Sequence, residues 1–211
     1  MKKTMKKTMK EMKTDMTDGR NIYADAVETL RKGGVILYPT DTVWGIGCDA
    51  TNAEAVQKVY EIKKRPDSKS LVLLASDLDM VARYVREIPE MALQLVEVND
   101  RPMTIIYPDA MTGVECRGLA ENVVAEDGSV GIRIPAVDFC RNLVHRFGRP
   151  VVSTSANISG EPTPRKFADI PQQIRDAVDY ILDPSLERQS TGSASSIIKV
   201  GLDGTIAIIR K

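Results

Sequence analysis

"RPVVSTSANISGEP", residues 149–162, sets two valines against a run of hydroxyls and amides. The valines predict a short buried strand. Ser153, Thr154, Ser155, Asn157 and Ser159, followed by Gly160 and Pro162, predict a polar loop at its end. Taken alone, the stretch is equally a plain turn. In open α/β sheets, however, ligands bind beyond strand ends, on loops held by a rigid scaffold. The question is whether other strand ends carry matching chemistry.

Outward from this stretch, helices and strands alternate. Apolar runs at 35–38 (VILY), 71–75 (LVLLA), 103–108 (MTIIYP), 130–135 (VGIRIP) and 151–155 (VVSTS) read as strands. Three more fall at 180–182, 195–200 and 205–211, the last two joined by the hairpin turn GLDG at 201–204. Helical periodicity covers 22–34, 53–64, 76–85, 89–98, 137–148 and 169–178. Asn52 and Asp169 are expected caps, and Gly33-Gly34, Pro66 and Gly148 expected stops. Residues 39–50 and 108–129 read as loop. The prediction is an α/β fold: one domain around a single twisted, mixed parallel and antiparallel sheet with flanking helices.

The chain has 211 residues and 43% hydrophobic content, enough for a real core. Lys plus Arg and Asp plus Glu both number 29, so gross charge predicts neither a nucleic-acid nor a membrane partner. Residues 1–20 are the exception, with seven cations against three carboxylates. They read as a basic N-terminal tail, flexible by expectation, followed by one domain over 21–211. Met1, Met5, Met9, Met12 and Met16 would line one helical face, suited to docking or simply part of a loose terminus. Cys48, Cys116 and Cys140 form no CxxC pair, which argues against a zinc knuckle or a disulfide framework and for a reduced, cytoplasmic setting. No signal-peptide h-region or membrane-length apolar run is present.

Absences narrow the chemistry. The single histidine, His145, sits within a helical pattern and reads as a surface residue. No GxSxG, HExxH, GxGxxG or P-loop occurs, so a serine hydrolase and a protein-built metal cage are both unsupported. Other strand ends do carry polar chemistry. Thr40, Asp41 and Thr42 follow VILY, and Lys63, Lys64 and Arg65 precede LVLLA. Cations at a helix C-terminus are also common for dipole reasons. Arg133 interrupts an apolar strand, either on a solvated face or lining a cleft. Hydroxyls, amides, an ammonium and guanidiniums around one cleft would suit a nucleotide.

Four blocks in this order, GGVILYPTDTVWGIGCDA, IKKRPDSKSLVLL, VGIRIP and VVSTSANISGEPT, resemble the YrdC/Sua5 family of threonylcarbamoyl-adenylate synthases over residues 22–211. The resemblance implies a YrdC-like fold, of the DHBP synthase-like type, with a concave positive cleft. It implies a nucleotidyltransferase that joins L-threonine, bicarbonate or CO2, and ATP with its Mg²⁺ into threonylcarbamoyl-adenylate and diphosphate. A downstream transferase complex then modifies adenosine 37 of ANN-decoding tRNAs. The family's Lys-x-Arg pair falls on Lys63 and Arg65, the expected catalytic residues, and its Ser-x-Asn pair on Ser155 and Asn157. Threonine binding is expected from Thr40, Thr42 and Thr104, and ATP contacts from Lys63, Arg65, Arg133, Ser153, Ser155, Asn157, Ser195 and Arg210. The chain departs from the family pattern at Asp41, Trp44, Asp100-Arg101-Pro102 and Ser68-Lys69-Ser70. A YciO-like relative would lack both motif pairs, which this chain keeps. The alternatives are a tRNA- or double-stranded-RNA-binding module of the same fold and the related domain of hydrogenase maturation proteins.

Overall fold

The computed structural model describes residues 22–66, 70–113 and 117–211. The Met-rich tail, Cys116 and Ser68-Lys69 lie outside the described residues.

Among the described residues, ten short strands form two mixed sheets. The four-stranded sheet has the order β7-β2-β1-β8 and the six-stranded sheet β10-β9-β4-β5-β3-β6. Their ranges are β1 Ile36–Tyr38, β2 Gly45–Gly47, β3 Val72–Leu74, β4 Met103–Tyr107 and β5 Val130–Arg133. They continue with β6 Val151–Val152, β7 Thr154–Ser155, β8 Tyr180–Ile181, β9 Ser196–Val200 and β10 Ile206–Arg210. β1–β8, β3–β5 and β4–β9 are parallel, and the other ladders are antiparallel. The helices are α1 Ala24–Arg31, α2 Ala53–Lys63, α3 Leu78–Ala82, α4 Glu90–Val98, α5 Asp138–Phe147 and α6 Gln172–Ala177. None is long and apolar enough to cross a membrane.

The mixed α/β class stands, with the strands shared between two sheets rather than one. The opening stretch explains the division. Its expected single strand, 151–155, breaks at Ser153. β6 pairs with β3 in one sheet, and β7 pairs with β2 in the other. The Ser153 amide donates to Val72 O at 2.8 Å, which holds the break in place. The expected loop 39–50 contains β2, hidden because its sequence is Gly-Ile-Gly. Gly47 has a steric reason to be glycine: a Cβ there would stand 2.6 Å from Val152 O.

Helix boundaries follow local chemistry. Asn52 accepts from the amides of Glu54 and Ala55, and Asp77 accepts from Met80 N at 2.7 Å. Asp77 therefore starts α3, a shorter helix than expected. Residues 167–169 form a 3-10 turn, and Pro171, not Asp169, stands at the N-cap of α6. α5 buries Cys140, Leu143, Val144 and Phe147, the i, i+3, i+4, i+7 stripe. It stops at Gly148, where φ is +85°, and leaves His145 exposed, as expected. Leu30, Leu37, Trp44, Ile46, Leu73 and Val152 are fully buried in the core. Each such side chain contributes about 1.5–3 kcal/mol by leaving water.

Candidate functional site

The β1–β2 turn is a buried polar knot. The Thr40 hydroxyl donates to Val43 O at 2.7 Å, accepts from Thr42 N at 3.1 Å and lies 2.8 Å from the Thr42 hydroxyl. Thr40 therefore shapes the turn. Asp41, next in the chain, forms a buried ion pair with Arg133 at the end of β5. Its other carboxylate oxygen accepts from Ala136 N at 3.0 Å, and Arg133 also donates to the Thr42 hydroxyl at 3.3 Å. Arg133 is 4% exposed, so it does not occupy a solvated strand face. The carboxylate beside it explains how a guanidinium is tolerated there.

A second knot closes over this turn. Ser190 Oγ and the Gly192 amide both donate to Thr42 O, and the Thr191 amide donates to Asp41 O. Beyond it, the Thr104 and Ser195 hydroxyls lie 2.8 Å apart. Arg210 donates through Nε to Ser195 O at 2.9 Å and through Nη2 to the Ser195 hydroxyl at 3.4 Å. A register irregularity between Ile208 and Arg210 sets Arg210 opposite Ile197, the residue on β9 that pairs with Thr104. The three predicted threonines thus fall into two hydrogen-bonded groups, Thr40 with Thr42 and Thr104 with Ser195.

Lys63 belongs to a third knot. It is 1% exposed at the end of α2, and its ammonium donates to Ser155 O and to Asn157 O, the latter at 2.7 Å. The Ser155 hydroxyl donates to Asn157 Oδ1. Asn157 Nδ2 donates to Ile158 O at 3.0 Å and Glu161 O at 2.7 Å. The chain leaves α2 through Lys64, at φ +49°, and Arg65 Nη2 donates to Ser70 O at 2.9 Å. Two of the three Lys63 N–H groups therefore clamp the Ser-x-Asn loop.

Tyr38 and Gly45 tie the knots together. Tyr38 is fully buried, donates through its hydroxyl to Val152 O at 3.5 Å, and lies close enough to Ser153, Arg133 and Asp41 to feel them. A Cβ on Gly45 would meet Ser153 Oγ at 3.3 Å and Thr40 Cγ2 at 3.5 Å, and Gly45 pairs with Ser155 in the β2–β7 ladder. Sequence reading missed Tyr38 and Ser190 as parts of the site. The tyrosine reads as an ordinary strand residue, and Ser190 lies in a stretch with no periodicity.

The electrostatics are one-sided. Burial, and then the nearby Arg65, pull the Lys63 ammonium down to about 8. Partial burial, and then Arg133, push the Arg210 guanidinium below its usual value. No cluster of three His, Cys, Asp or Glu suited to a metal occurs among the described residues. A separate cavity of about 1250 Å³, lined by Asp49, Tyr84, Arg117 and Arg149 among others, contains none of the predicted site residues.

Trp44 abuts this region. It packs on Phe167 with ring centroids 5.0 Å apart, and its buried indole N–H has no partner among the described residues.

The chain is similar to several known proteins in sequence and in fold. The Sua5/yciO/yrdC family model, described as telomere recombination, matches residues 28–211. A threonylcarbamoyl-AMP synthase of Stenotrophomonas maltophilia is 38% identical over 161 residues, 75% of this chain and 83% of that protein. Among solved structures, P. abyssi Sua5 complexed with L-threonine superposes with a TM-score of 0.73 at 25% identity, covering 85% of this chain and 50% of its own. This chain thus spans about half the length of that Sua5 chain. E. coli YciO superposes with a TM-score of 0.72 at 25% identity, covering 90% of this chain and 88% of its own. Sequence and architecture agree that the chain belongs to the Sua5/YciO/YrdC family.

Proposed function

We propose that this chain is a threonylcarbamoyl-adenylate synthase, a nucleotidyltransferase that converts L-threonine, bicarbonate or CO2, and ATP into threonylcarbamoyl-adenylate and diphosphate. The observation that carries this reading is the Lys63 ammonium bound to the carbonyls of Ser155 and Asn157, which joins the Lys-x-Arg and Ser-x-Asn segments at one place. A related protein named threonylcarbamoyl-AMP synthase and a threonine-bound structure within the family support it.

In this reading, the threonine amine adds to CO2 and releases a proton, giving a carbamate. A carbamate oxygen attacks the α-phosphorus in line, the α–β bridging bond breaks, and diphosphate departs with the electron pair. Charge stays on phosphate oxygens throughout, so catalysis rests on positioning and electrostatics, and no strong base is required. Lys63 and Arg65 face the phosphates, Arg133 and Arg210 add positive potential, and Ser153, Ser155, Asn157 and Ser195 orient the nucleotide. Thr40, Thr42 and Thr104 form the threonine side. Mg²⁺ enters as part of the MgATP substrate. The catalytic unit runs over residues 21–211 and acts in the cytoplasm. Its adenylate passes to a transferase that modifies adenosine 37 of tRNA.

Incubation with ATP, labelled bicarbonate, and either threonine or serine tests the reading. Label is expected in an adenylate with threonine and not with serine. No labelled adenylate under any condition overturns it, and RNA binding without turnover would then favour the binding-module alternative.

A further inference from the structure

The three threonines of the amino-acid side belong to different sheets. Thr40 and Thr42 stand in the turn between β1 and β2 of the four-stranded sheet, whereas Thr104 lies on β4 of the six-stranded sheet. One short stretch, residues 190–195, is bonded to both. At its start the Ser190 hydroxyl donates to Thr42 O and accepts from Gly192 N at 3.2 Å, and the Gly192 amide also donates to Thr42 O at 2.8 Å. The Thr191 amide donates to Asp41 O at 2.9 Å. At its end the buried Ser195 hydroxyl lies 2.8 Å from that of Thr104, and the following amide, Ser196 N, donates to Pro102 O at 3.0 Å. The stretch is also braced within itself. The Thr191 hydroxyl donates to Ser193 O at 3.2 Å and accepts from Ser193 N at 3.3 Å.

We propose that residues 190–195 are a strut that fixes the spacing of the two threonine-bearing groups, with Ser190 as its positioning residue, and that this spacing sets the preference for threonine over serine. The proposal rests on the reading that Thr40, Thr42 and Thr104 hold the amino acid. The two amino acids differ by one methyl group, which a pocket distinguishes by about 10- to 200-fold and only while its walls are held closely. Ser190 acts through Thr42. It holds the Thr42 carbonyl, while the Thr42 hydroxyl bonds Thr40 and Arg133. The Asp41–Arg133 ion pair ties the same turn to β5, so losing the Ser190 hydroxyl loosens the spacing without parting the sheets. The far end of the strut is held independently, by Arg210 on Ser195 O and by the Thr104 hydroxyl, so the nucleotide side keeps its place.

Steady-state adenylate synthesis by the full chain tests the strut. Ser190→Ala is expected to raise the KM for threonine roughly three- to tenfold, as the loss of one hydrogen bond implies, and to leave the KM for ATP within about twofold. It should also raise turnover of serine relative to threonine. Ser190→Thr, which keeps the hydroxyl, should restore most of the threonine KM. Gly192→Ala is the second variant. Gly192 has φ +68° and an added Cβ would meet nothing within 4 Å, so the change strains the backbone of the strut without a clash. It should move the same two readouts in the same direction. Equal rises in both KM values, an unaltered ratio of serine to threonine turnover, or Ser190→Thr no better than Ser190→Ala overturns the strut. A parent chain that makes no adenylate overturns the functional reading and the strut together. An active parent with an unchanged Ser190→Ala variant overturns the strut alone.

Discussion

The Lys63 ammonium, at the end of α2, donates to the carbonyls of Ser155 and Asn157, more than ninety residues further along the chain. The residue expected to meet phosphate is thus also the clamp that holds the loop expected to meet nucleotide. Protonation, loop position and ligand charge are coupled at one nitrogen.

That coupling predicts a proton signature. The free site loses the Lys63 proton as pH rises through about 8. A polyphosphate favours the charged form and raises that value in the complex. Binding of a non-hydrolysable ATP analogue near pH 8 should therefore take up protons, measured by calorimetry in buffers of different ionisation heat. Absence of uptake would separate Lys63 from the phosphates. In the unliganded protein the sign is fixed by the same shift. The folded state binds fewer protons than the unfolded state between about 8 and 10.5, so this group's contribution to stability rises with pH across that window.

Arg65 is half-buried and lies outside the clamp. Arg65→Ala should leave the melting temperature nearly unchanged and lower adenylate synthesis at least about tenfold, roughly 1.4 kcal/mol of barrier. Near-normal turnover would remove Arg65 from the site.

Asp41 should behave oppositely. Asp41→Ala leaves the Arg133 guanidinium buried without its carboxylate, at a cost of about 3–5 kcal/mol. Denaturant unfolding should register this before any assay does. A variant as stable as the parent would show that Arg133 finds another partner.

Gly47→Ala tests the close approach of β2 and β6. A Cβ would stand 2.6 Å from Val152 O and 2.7 Å from the Tyr38 ring. Overpacking of this kind costs about 1–3 kcal/mol. Because the Tyr38 hydroxyl bonds Val152 O, next to Ser153, a fall in nucleotide affinity should accompany the stability loss. Unchanged stability would mean that the two sheets separate easily at this point.

The helices were legible because their signals are local. Asn52 caps α2 through its own side chain, and the stripe Cys140, Leu143, Val144 and Phe147 announces α5. The start of α6 was blurred because Phe167–Asp169 forms a separate 3-10 turn just before Pro171. β2 was not legible, since two of its three residues are glycines selected by contact with β1 and β6 rather than by strand propensity. The strand break at Ser153 was equally hidden, because it depends on Val72, far away in sequence. At the site, the motifs single out Lys63, Ser155 and Asn157, which the Lys63 clamp joins, while Arg65 turns to Ser70 O. The Asp41–Arg133 pairing and the role of Tyr38 required the fold.

The break at Ser153 bears on how the molecule is made. β6 needs β3 as its template and β7 needs β2, yet both belong to one five-residue stretch. Neither sheet can be finished along that edge until the chain has been synthesised well past its middle. The Lys63 clamp closes only then, against an entropic cost that grows with the logarithm of the intervening loop. Nucleotide binding should therefore be among the last properties to return during refolding, and it reports on completion of the whole architecture rather than on any single element.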